Sequence, residues 1–222
     1  MSILDRFTML PTMGRTVQTW RRLWLILRLR VQALATRSRL DLDLARRLEL
    51  GRGIRIRLQG RHNRITLADR AHLGDRVRVE LRDGELYMGE RGQLRAESVA
   101  HISGRLYLER ACGFSIRCVI HCGKSIEIGR YSIFGEYVSI LDGEHVHIQT
   151  DDYWFYGDPQ ARNILQEVKI GVGVYIGAKT TILMGAEIGD FCRIGANSVV
   201  TGKIEPHTLA AGVPARPIRK LA

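Results

Sequence analysis

The sequence lacks any apolar run long enough to cross a bilayer. Its most apolar stretch, Leu23 to Leu27, is followed at once by Arg28 and soon by Arg30, whereas a spanning helix needs roughly 20 apolar residues. Residues 1–14 have no apolar core behind a basic stretch, so no secretory signal is expected. We therefore expect a cytoplasmic protein without a membrane span.

Cysteine is also scarce, with four residues in a chain of 222. The spacings match no paired zinc-site template, so no metal is expected. We expect small, buried, reduced thiols at Cys112, Cys118, Cys122 and Cys192.

Acidic residues are rare only at the front of the chain. Residues 1–64 contain 15 Lys/Arg against 4 Asp/Glu, whereas residues 65–222 contain 19 of each. The net charge of +11 therefore comes entirely from the N-terminal segment. Because no aromatic platform or nucleic-acid motif accompanies this charge, no nucleic-acid partner is expected.

A six-residue repeat predicts the architecture. From 168 to 201 an aliphatic residue recurs at every sixth position, and glycine follows four of the six: Ile170, Ile176, Ile182, Ile188, Ile194 and Val200. Six is a multiple of the strand period and not of the helical one. The repeat predicts a triangular coil of short parallel strands, with one aliphatic side chain per side pointing inward. Glycine fits a corner that turns sharply or has no room for a Cβ.

The same phase recurs earlier in the chain, at Ile116, Cys122, Ile128, Phe134 and Ile140. A fainter series at Leu67, Leu73 and Val79 predicts that the coil begins near residue 65. Between 80 and 112 aliphatic residues persist but no longer keep the six-residue spacing, which predicts imperfect coils there. We divide the chain into a basic, largely helical segment, 1–64, and a β-helix domain, 65–222, with a C-terminal tail at 205–222. Residues 142–167 interrupt the repeat and are rich in acids and aromatics, which predicts an extruded functional loop.

These patterns resemble the hexapeptide-repeat acyltransferases, above all sugar O-acetyltransferases related to galactoside and maltose acetyltransferases and those of polysaccharide biosynthesis. The resemblance lies in Val168–Ala178, Gly185–Gly189, Ile194–Val200 and the closing Ala211–Arg219, which reads Ala-Gly-Val-Pro-Ala followed by basic residues. It implies an all-β solenoid, namely a left-handed parallel β-helix. It also implies a homotrimer with active sites between neighbours.

The resemblance further implies transfer of an acyl group, in the first place acetyl from acetyl-CoA, to a sugar or saccharide hydroxyl. His145 would be the general base, because a neutral imidazole can accept the hydroxyl proton near pH 7. Asp142 or Glu144 could orient the imidazole. His147, two residues on, is the rival base and a candidate substrate contact.

Other site residues follow from the same resemblance. The pantetheine channel maps onto Ala178 and Ala196, with Thr201 nearby. The phosphates of coenzyme A map onto cationic side chains: Lys203, Arg216 and Arg219. Gly202 separates Thr201 from Lys203, whereas the family often has lysine directly after the threonine. Tyr153 and Trp154 could stack on a sugar face or anchor the loop.

Residues 15–35 are expected to form a basic amphipathic helix. The spacing of five apolar residues predicts a stripe along one face: Trp20, Trp24, Leu27, Val31 and Leu34. The stripe could lie on an anionic membrane, making the protein peripheral at the inner face of the membrane. Alternatively, the stripe could pack on the end of the coil or between subunits, and we favour this alternative.

Three other functions remain open. N-acetylation of an amino sugar would use the same cofactor and the same type of base. A catalytically silent β-helix could act as a scaffold or membrane-surface adaptor. A zinc lyase of the γ-carbonic-anhydrase kind would need three converging histidines, for which His121, His145 and His147 are the candidates.

Overall fold

In this computed structural model, residues 15–145 and 163–221 are described. The chain opens with helix α1 (Arg15–Ala35) and continues as short strands. The first fifteen strands are β1 (Arg39–Leu44), β2 (Glu49–Leu50), β3 (Arg55–Gln59), β4 (His62–Leu67), β5 (His72–Leu73), β6 (Arg78–Arg82), β7 (Glu85–Met88), β8 (Gln93–Leu94), β9 (Val99–Ile102), β10 (Arg105–Leu108), β11 (Gly113–Phe114), β12 (Val119–Cys122), β13 (Ser125–Ile128), β14 (Ile133–Phe134) and β15 (Ser139–Leu141).

The remaining eleven strands begin with the two that form the base of the loop. They are β16 (Gly143–His145), β17 (Asn163–Leu165), β18 (Val168–Ile170), β19 (Tyr175–Ile176), β20 (Thr181–Ile182), β21 (Glu187–Ile188), β22 (Arg193–Ile194), β23 (Val199–Val200), β24 (Lys203–Ile204), β25 (Thr208–Gly212) and β26 (Ala215–Lys220).

The strands stack into the three faces of a triangular parallel β-helix. Face A is β1-β4-β7-β10-β13-β18-β21-β24, face B is β2-β5-β8-β11-β14-β19-β22-β25-β26, and face C is β3-β6-β9-β12-β15-β20-β23. Every pairing within these faces is parallel except the last, in which β26 runs antiparallel to β25. The predicted hexad residues are buried along the axis, as the repeat predicts, except Ile116, which is only half-buried and lies at the turn between β11 and β12.

The coils between residues 80 and 112 are regular, and the prediction of imperfect coils there is wrong. On face A, Leu86 pairs with Leu106 and Leu106 with Ile126, residue numbers that rise in steps of 20. Later coils step by 18, as from Ile170 to Ile188. The two extra residues lie on face C, whose strands β9 and β12 each bury two side chains in place of one. The hexad phase therefore shifts by two residues at every such coil.

The coil also begins earlier than predicted. Strand β1 starts at Arg39 and pairs with β4, so residues 39–64 are strands of the solenoid and not part of a largely helical segment. At the other end, residues 205–222 are not a free tail. They contain β25 and β26, and β26 covers the edge of face B.

Glycine follows the inward aliphatic residue because there is no room for a side chain. A Cβ at Gly135 would lie 2.6 Å from the amide nitrogen of Ala178 in the next coil. The sharp turn itself falls two residues later, on residues with positive φ such as Tyr137 (57°), Lys179 (58°) and Asn197 (57°). Of the two reasons that the sequence offered for these glycines, close approach of the backbone is the correct one.

Helix α1 covers the open end of the first coil. Leu25, Leu29 and Ala33 are buried against the β-helix. The guanidinium of Arg22 donates to the carbonyls of Leu44 (2.8 Å) and Ala45 (2.7 Å). Carbonyls at a free sheet edge have no preceding strand, so these hydrogen bonds stabilise an edge that would otherwise be unpaired.

The prediction that the stripe of α1 packs on the coil end is wrong. Its five residues are all exposed, from 56% at Val31 to 79% at Leu34. A different face of the helix, formed by Leu25, Leu29 and Ala33, makes the contact. Among the described residues, no helix is long and apolar enough to cross a membrane.

The four cysteines are free and buried, which confirms the prediction of reduced thiols. Burial raises the thiol pKa to about 12 at Cys112 and Cys122 and to about 11 at Cys118. Since the thiolate is the reactive form, these residues are structural.

Glu97 joins two arginines across successive coils and gives one pH prediction. Its carboxylate accepts hydrogen bonds from Arg76 and from Arg117 Nε (2.5 Å), which lower the Glu97 pKa from 4.5 to about 2. A depressed carboxyl pKa stabilises the fold above pH 4.5 and loses that contribution as the pH falls towards 2. We expect Glu97→Gln to have a lower free energy of unfolding than wild type in urea at pH 6. This difference should vanish as the pH falls from 4.5 towards 2. Glu127→Gln, on face A with its arginine 3.7 Å away, is the control; an equal pH dependence there would contradict the assignment.

Candidate active site

The loop predicted at 142–167 leaves the solenoid as an antiparallel hairpin. Strands β16 and β17 pair Gly143 with Leu165, Glu144 with Ile164 and His145 with Asn163. The hairpin starts directly after β15, at the corner between faces C and A. His145 is therefore the last described residue of the outgoing strand. Its backbone is described and its side chain is not, and His147, Tyr153 and Trp154 lie outside the described residues.

Asp142 anchors the base of this hairpin. Its side chain is 1% exposed, and its carboxylate accepts hydrogen bonds from the backbone N–H groups of Gly123 (2.6 Å), Lys124 (2.8 Å) and Ser125 (2.9 Å). Its carbonyl accepts a fourth from Gln166 N (2.9 Å), where the chain returns. These contacts assign the side chain to the corner of the preceding coil. Orientation of His145 by Asp142 stays a prediction.

Leu165 packs over two glycines and fixes the angle of the stem. A Cβ at Gly123 would lie 2.7 Å from Leu165 Cδ2, and one at Gly143 would lie 2.5 Å from the same atom. The leucine thus occupies the space that larger residues would need. Glu144, on the outgoing strand, is exposed and free to face a ligand.

A groove of about 420 Å³ runs below the hairpin on the outer surface of face C. Its floor contains His101 and His121, whose rings stack with centroids 4.9 Å apart. His101 Nδ1 lies 3.3 Å from Glu80. Arg82 and Leu165 also line the groove, so that it offers both hydrogen-bonding groups and an apolar wall beside the stem.

The surroundings of His121 favour its neutral form. Burial lowers its pKa below 6.5, the neighbouring His101 lowers it further, and Asp142 opposes the shift. A neutral imidazole can both donate and accept a hydrogen bond. The floor of the groove is therefore suited to hydroxyl groups, which also do both.

Sequence reasoning missed this groove. Glu80, His101 and His121 occupy the same outward position of successive strands on face C. The signal was present as a polar residue recurring once per coil, 21 residues apart from Glu80 to His101 and 20 apart from His101 to His121. It could be recognised only after the coil length was known, because a period of 18 residues does not place these three residues at equivalent positions of successive strands.

The predicted cofactor residues do not all lie at one corner of the coil. Ala178 and Ala196 lie one coil apart at the corner between faces B and C, where Asn197 N donates to Ala178 O (2.9 Å). Arg216 pairs with Ala211 at that same corner, and a Cβ on Gly195 would lie 2.8 Å from the Cβ of Ala211.

The remaining cofactor predictions lie elsewhere. Arg219 pairs with Leu209 at the far end of the last strand of face B. Thr201 and Lys203 follow β23 at the corner with face A, on the side of the hairpin. Lys203 Nζ lies 2.9 Å from Glu205, and that hydrogen bond raises the pKa of the lysine. The structure brings Ala178, Ala196 and Arg216 together and separates them from Thr201, Lys203 and Arg219.

No family model matches the chain, but several curated proteins are similar to it in sequence. A probable acetyltransferase of Mycobacterium tuberculosis is 26% identical over 170 residues, covering 77% of this chain and 49% of the relative. WbbJ of Escherichia coli, whose proposed activity is that of a lipopolysaccharide biosynthesis O-acetyl transferase, is 37% identical over 100 residues. The match covers 44% of this chain and 51% of WbbJ. Serine acetyltransferase of Salmonella typhimurium is 33% identical over 129 residues, covering 52% and 43%. The chain thus spans about half the length of these relatives.

Two solved structures share the fold. A point mutant of AntD, an N-acyltransferase from Bacillus cereus solved with dTDP and coenzyme A, gives a TM-score of 0.51 at 14% identity, covering 87% of this chain and 88% of that one. The polysialic acid O-acetyltransferase OatWY gives 0.50 at 18% identity, covering 78% and 88%. The predicted fold class, a left-handed parallel β-helix of hexapeptide repeats with an N-terminal helix, is confirmed. The relatives named in both comparisons are acyltransferases, so the resemblance to that class is confirmed as well.

Proposed function

We propose that this protein is an acetyl-CoA-dependent O-acyltransferase that acts on a saccharide hydroxyl in the cytoplasm. The observation that carries the proposal is the hairpin at the edge of face C, which presents His145 on a stem anchored by Asp142. Sequence similarity to several acetyltransferases supports it. O-transfer is preferred because the E. coli relative is named for it.

The reaction needs one base and no covalent enzyme intermediate. The imidazole of His145 takes the proton of the acceptor hydroxyl while the oxygen attacks the thioester carbonyl carbon. The C–S bond of the tetrahedral intermediate then breaks, and the thiolate of coenzyme A takes the proton from the imidazolium. The products are an O-acyl ester and free coenzyme A, with His145 again neutral.

The corner that carries Ala178 and Ala196 is proposed as the pantetheine site. Small side chains there leave the backbone accessible: Ala196 is exposed and Ala178 half-buried. Arg216, exposed at the same corner, would bind a phosphate of the cofactor through its guanidinium. Thr201 and Lys203 would then contact a cofactor bound to the neighbouring copy.

A homotrimer is part of the proposal. The hairpin with His145 and the corner with Ala178 lie at opposite edges of face C, so one chain presents its base and its cofactor corner on different sides. A rotationally symmetric trimer would place the hairpin of one copy against the cofactor corner of the next. The acceptor would bind where they meet, with the groove of His101 and His121 holding its distal hydroxyls and with His147, Tyr153 and Trp154 as further contacts.

Two other functions are distinguished by simple outcomes. An N-acetyltransferase would give an amide product that resists mild alkali, whereas an ester is cleaved. This alternative is kept because AntD, which shares the fold, is an N-acyltransferase. A catalytically silent scaffold would fail to bind coenzyme A at all.

Titration with acetyl-CoA in a calorimeter tests the proposal. We expect wild type to bind and Arg216→Ala to bind about tenfold more weakly, because a charge-assisted hydrogen bond to phosphate is lost. Arg219→Ala is the matched control and should change the affinity less than Arg216→Ala, since Arg219 lies away from the alanine corner. No binding by wild type would overturn the acyltransferase proposal, and equal losses in the two variants would overturn the assignment of Arg216.

A further inference from the structure

The outward face of α1 is apolar, and no part of the chain that the structure describes covers it. Trp20 is 71% exposed, Trp24 60%, Leu27 61% and Leu34 79%. At 100° per residue these side chains, with Val31, Leu23 and Val17, form one continuous stripe. The stripe lies opposite Leu25 and Leu29, which are buried against the first coil. The helix therefore has two apolar faces, of which one packs against the β-helix and the other is exposed in the structure of residues 15–145 and 163–221.

The stripe is bordered by positive charge. On the helical projection Arg30 lies along one edge and Arg28 along the other, and Arg28 Cζ lies 5.4 Å from the centre of the Trp24 ring. The helix contains no acidic residue. Exposed arginines of the first coil, among them Arg46 and Arg52, extend the basic surface beyond the helix.

A groove of about 690 Å³ continues the stripe towards the β-helix. It lies between α1 and the first coil, with Trp24, Leu27 and Ile54 on its walls and Arg28 and Arg52 on its rim. An apolar cleft with cations at its mouth matches a lipid acyl chain beneath an anionic headgroup. Tryptophan and arginine are also the residues that amphipathic helices use at the boundary between headgroups and acyl chains.

We propose that α1 docks the N-terminal end of the β-helix on an anionic phospholipid surface. The stripe enters the boundary between headgroups and acyl chains, and Arg28, Arg30 and the arginines of the first coil contact the headgroups. Since Leu25, Leu29 and Ala33 bind the same helix to the solenoid, the β-helix is held rigidly to the membrane. This inference is independent of acyl transfer.

Co-sedimentation with vesicles tests it. The full chain is mixed with vesicles of phosphatidylcholine alone, or of phosphatidylcholine and phosphatidylglycerol in equal parts. We expect binding to the mixed vesicles, little to the neutral ones, and weakening in high salt, which screens charge. Leu27→Glu/Val31→Glu should lower binding at least tenfold, and Arg28→Ala and Arg30→Ala should each lower it about fivefold.

The control carries the same change of charge at the opposite end of the molecule. Val213 and Ile218 are 71% and 62% exposed, so Val213→Glu/Ile218→Glu loses similar exposed apolar surface away from the helix. Circular dichroism should show that both double variants are folded, because all four positions are exposed. Failure of wild type to bind anionic vesicles, or equal losses in the two double variants, would overturn the proposal. Sedimentation without lipid adds a second test. If wild type binds no vesicles and Leu27→Glu/Val31→Glu has a lower oligomer mass than wild type, the stripe joins copies of this chain, and the proposal is overturned.

Discussion

Replacing His145 with alanine is expected to lower the rate of acyl transfer about 10²–10⁴-fold while leaving the affinity for acetyl-CoA unchanged. The effect is large because a hydroxyl is a weak nucleophile until its proton is removed. The affinity for the cofactor is expected to be unchanged because its proposed contacts are the backbone at Ala178 and Ala196 and the guanidinium of Arg216, and do not include the imidazole. The measurement is release of free thiol with a saccharide acceptor, together with calorimetric titration of acetyl-CoA.

Two histidine variants serve as controls for this prediction. His147→Ala tests the rival base, and it should retain most of the rate if His145 is the base. His121→Ala removes a histidine of the groove, so we expect it to raise the KM for a saccharide acceptor more than it lowers kcat. Full activity of His145→Ala, with loss in His147→Ala, would transfer the role of base to His147.

The largest loss of stability is expected from Phe134→Ala, at about 3–5 kcal/mol. Phe114 and Phe134 point inward from successive strands of face B, and their rings stack with centroids 4.1 Å apart and planes at 5°. Both are essentially inaccessible to solvent. Each coil is fixed by the ladders above and below it, so the core cannot collapse into the space left by a missing ring. Urea unfolding of wild type and variant at one protein concentration measures the loss.

Phe191→Ala is the matched control for the core prediction. Phe191 lies on the outside of a corner, 50% exposed, with its ring 5.2 Å from that of His207. The same chemical change there should cost less than about 1 kcal/mol. Similar losses at the two positions would mean that the stacked pair contributes nothing beyond the loss of an aromatic residue.

The sequence predicted the part of the solenoid in which each side has one length. From Ile170 to Val200 the hexad is continuous, so the triangular coil and its inward residues followed from spacing alone, whereas its left-handed direction followed from the family resemblance. The interruption at 142–167 likewise predicted where the chain leaves the coil. Between Leu86 and Ile140 the extra dipeptide on face C shifts the phase once per coil. The coils before Leu86 are longer still, as from Leu44 to Leu67. A search for a fixed period of six therefore does not detect the repeat in this part of the chain.

Two further features could not be obtained from spacing. The first coil has the alternation of a strand, as in Arg55-Ile56-Arg57-Leu58, but its arginines suggested a separate basic segment. Helix α1 carries apolar residues on two opposite faces, and periodicity alone does not tell which of them contacts the core. That choice depends on the shape of the coil end, where Leu29 fits and Arg22 reaches unpaired carbonyls.

The two ends of the solenoid are closed in part by different elements of the same chain: α1 covers the first coil, and β26 covers face B of the last one. A stack of parallel strands with either end bare would offer the next molecule a template and could grow into a fibre. Here α1 covers the start of the first coil and β26 covers the last parallel strand of face B, so less of each terminal ladder is left for another molecule to extend. Each inner coil contacts only the coils above and below it. Whole coils could therefore be gained or lost during evolution without disturbing either closure, and the length of the molecule can change in units of one coil.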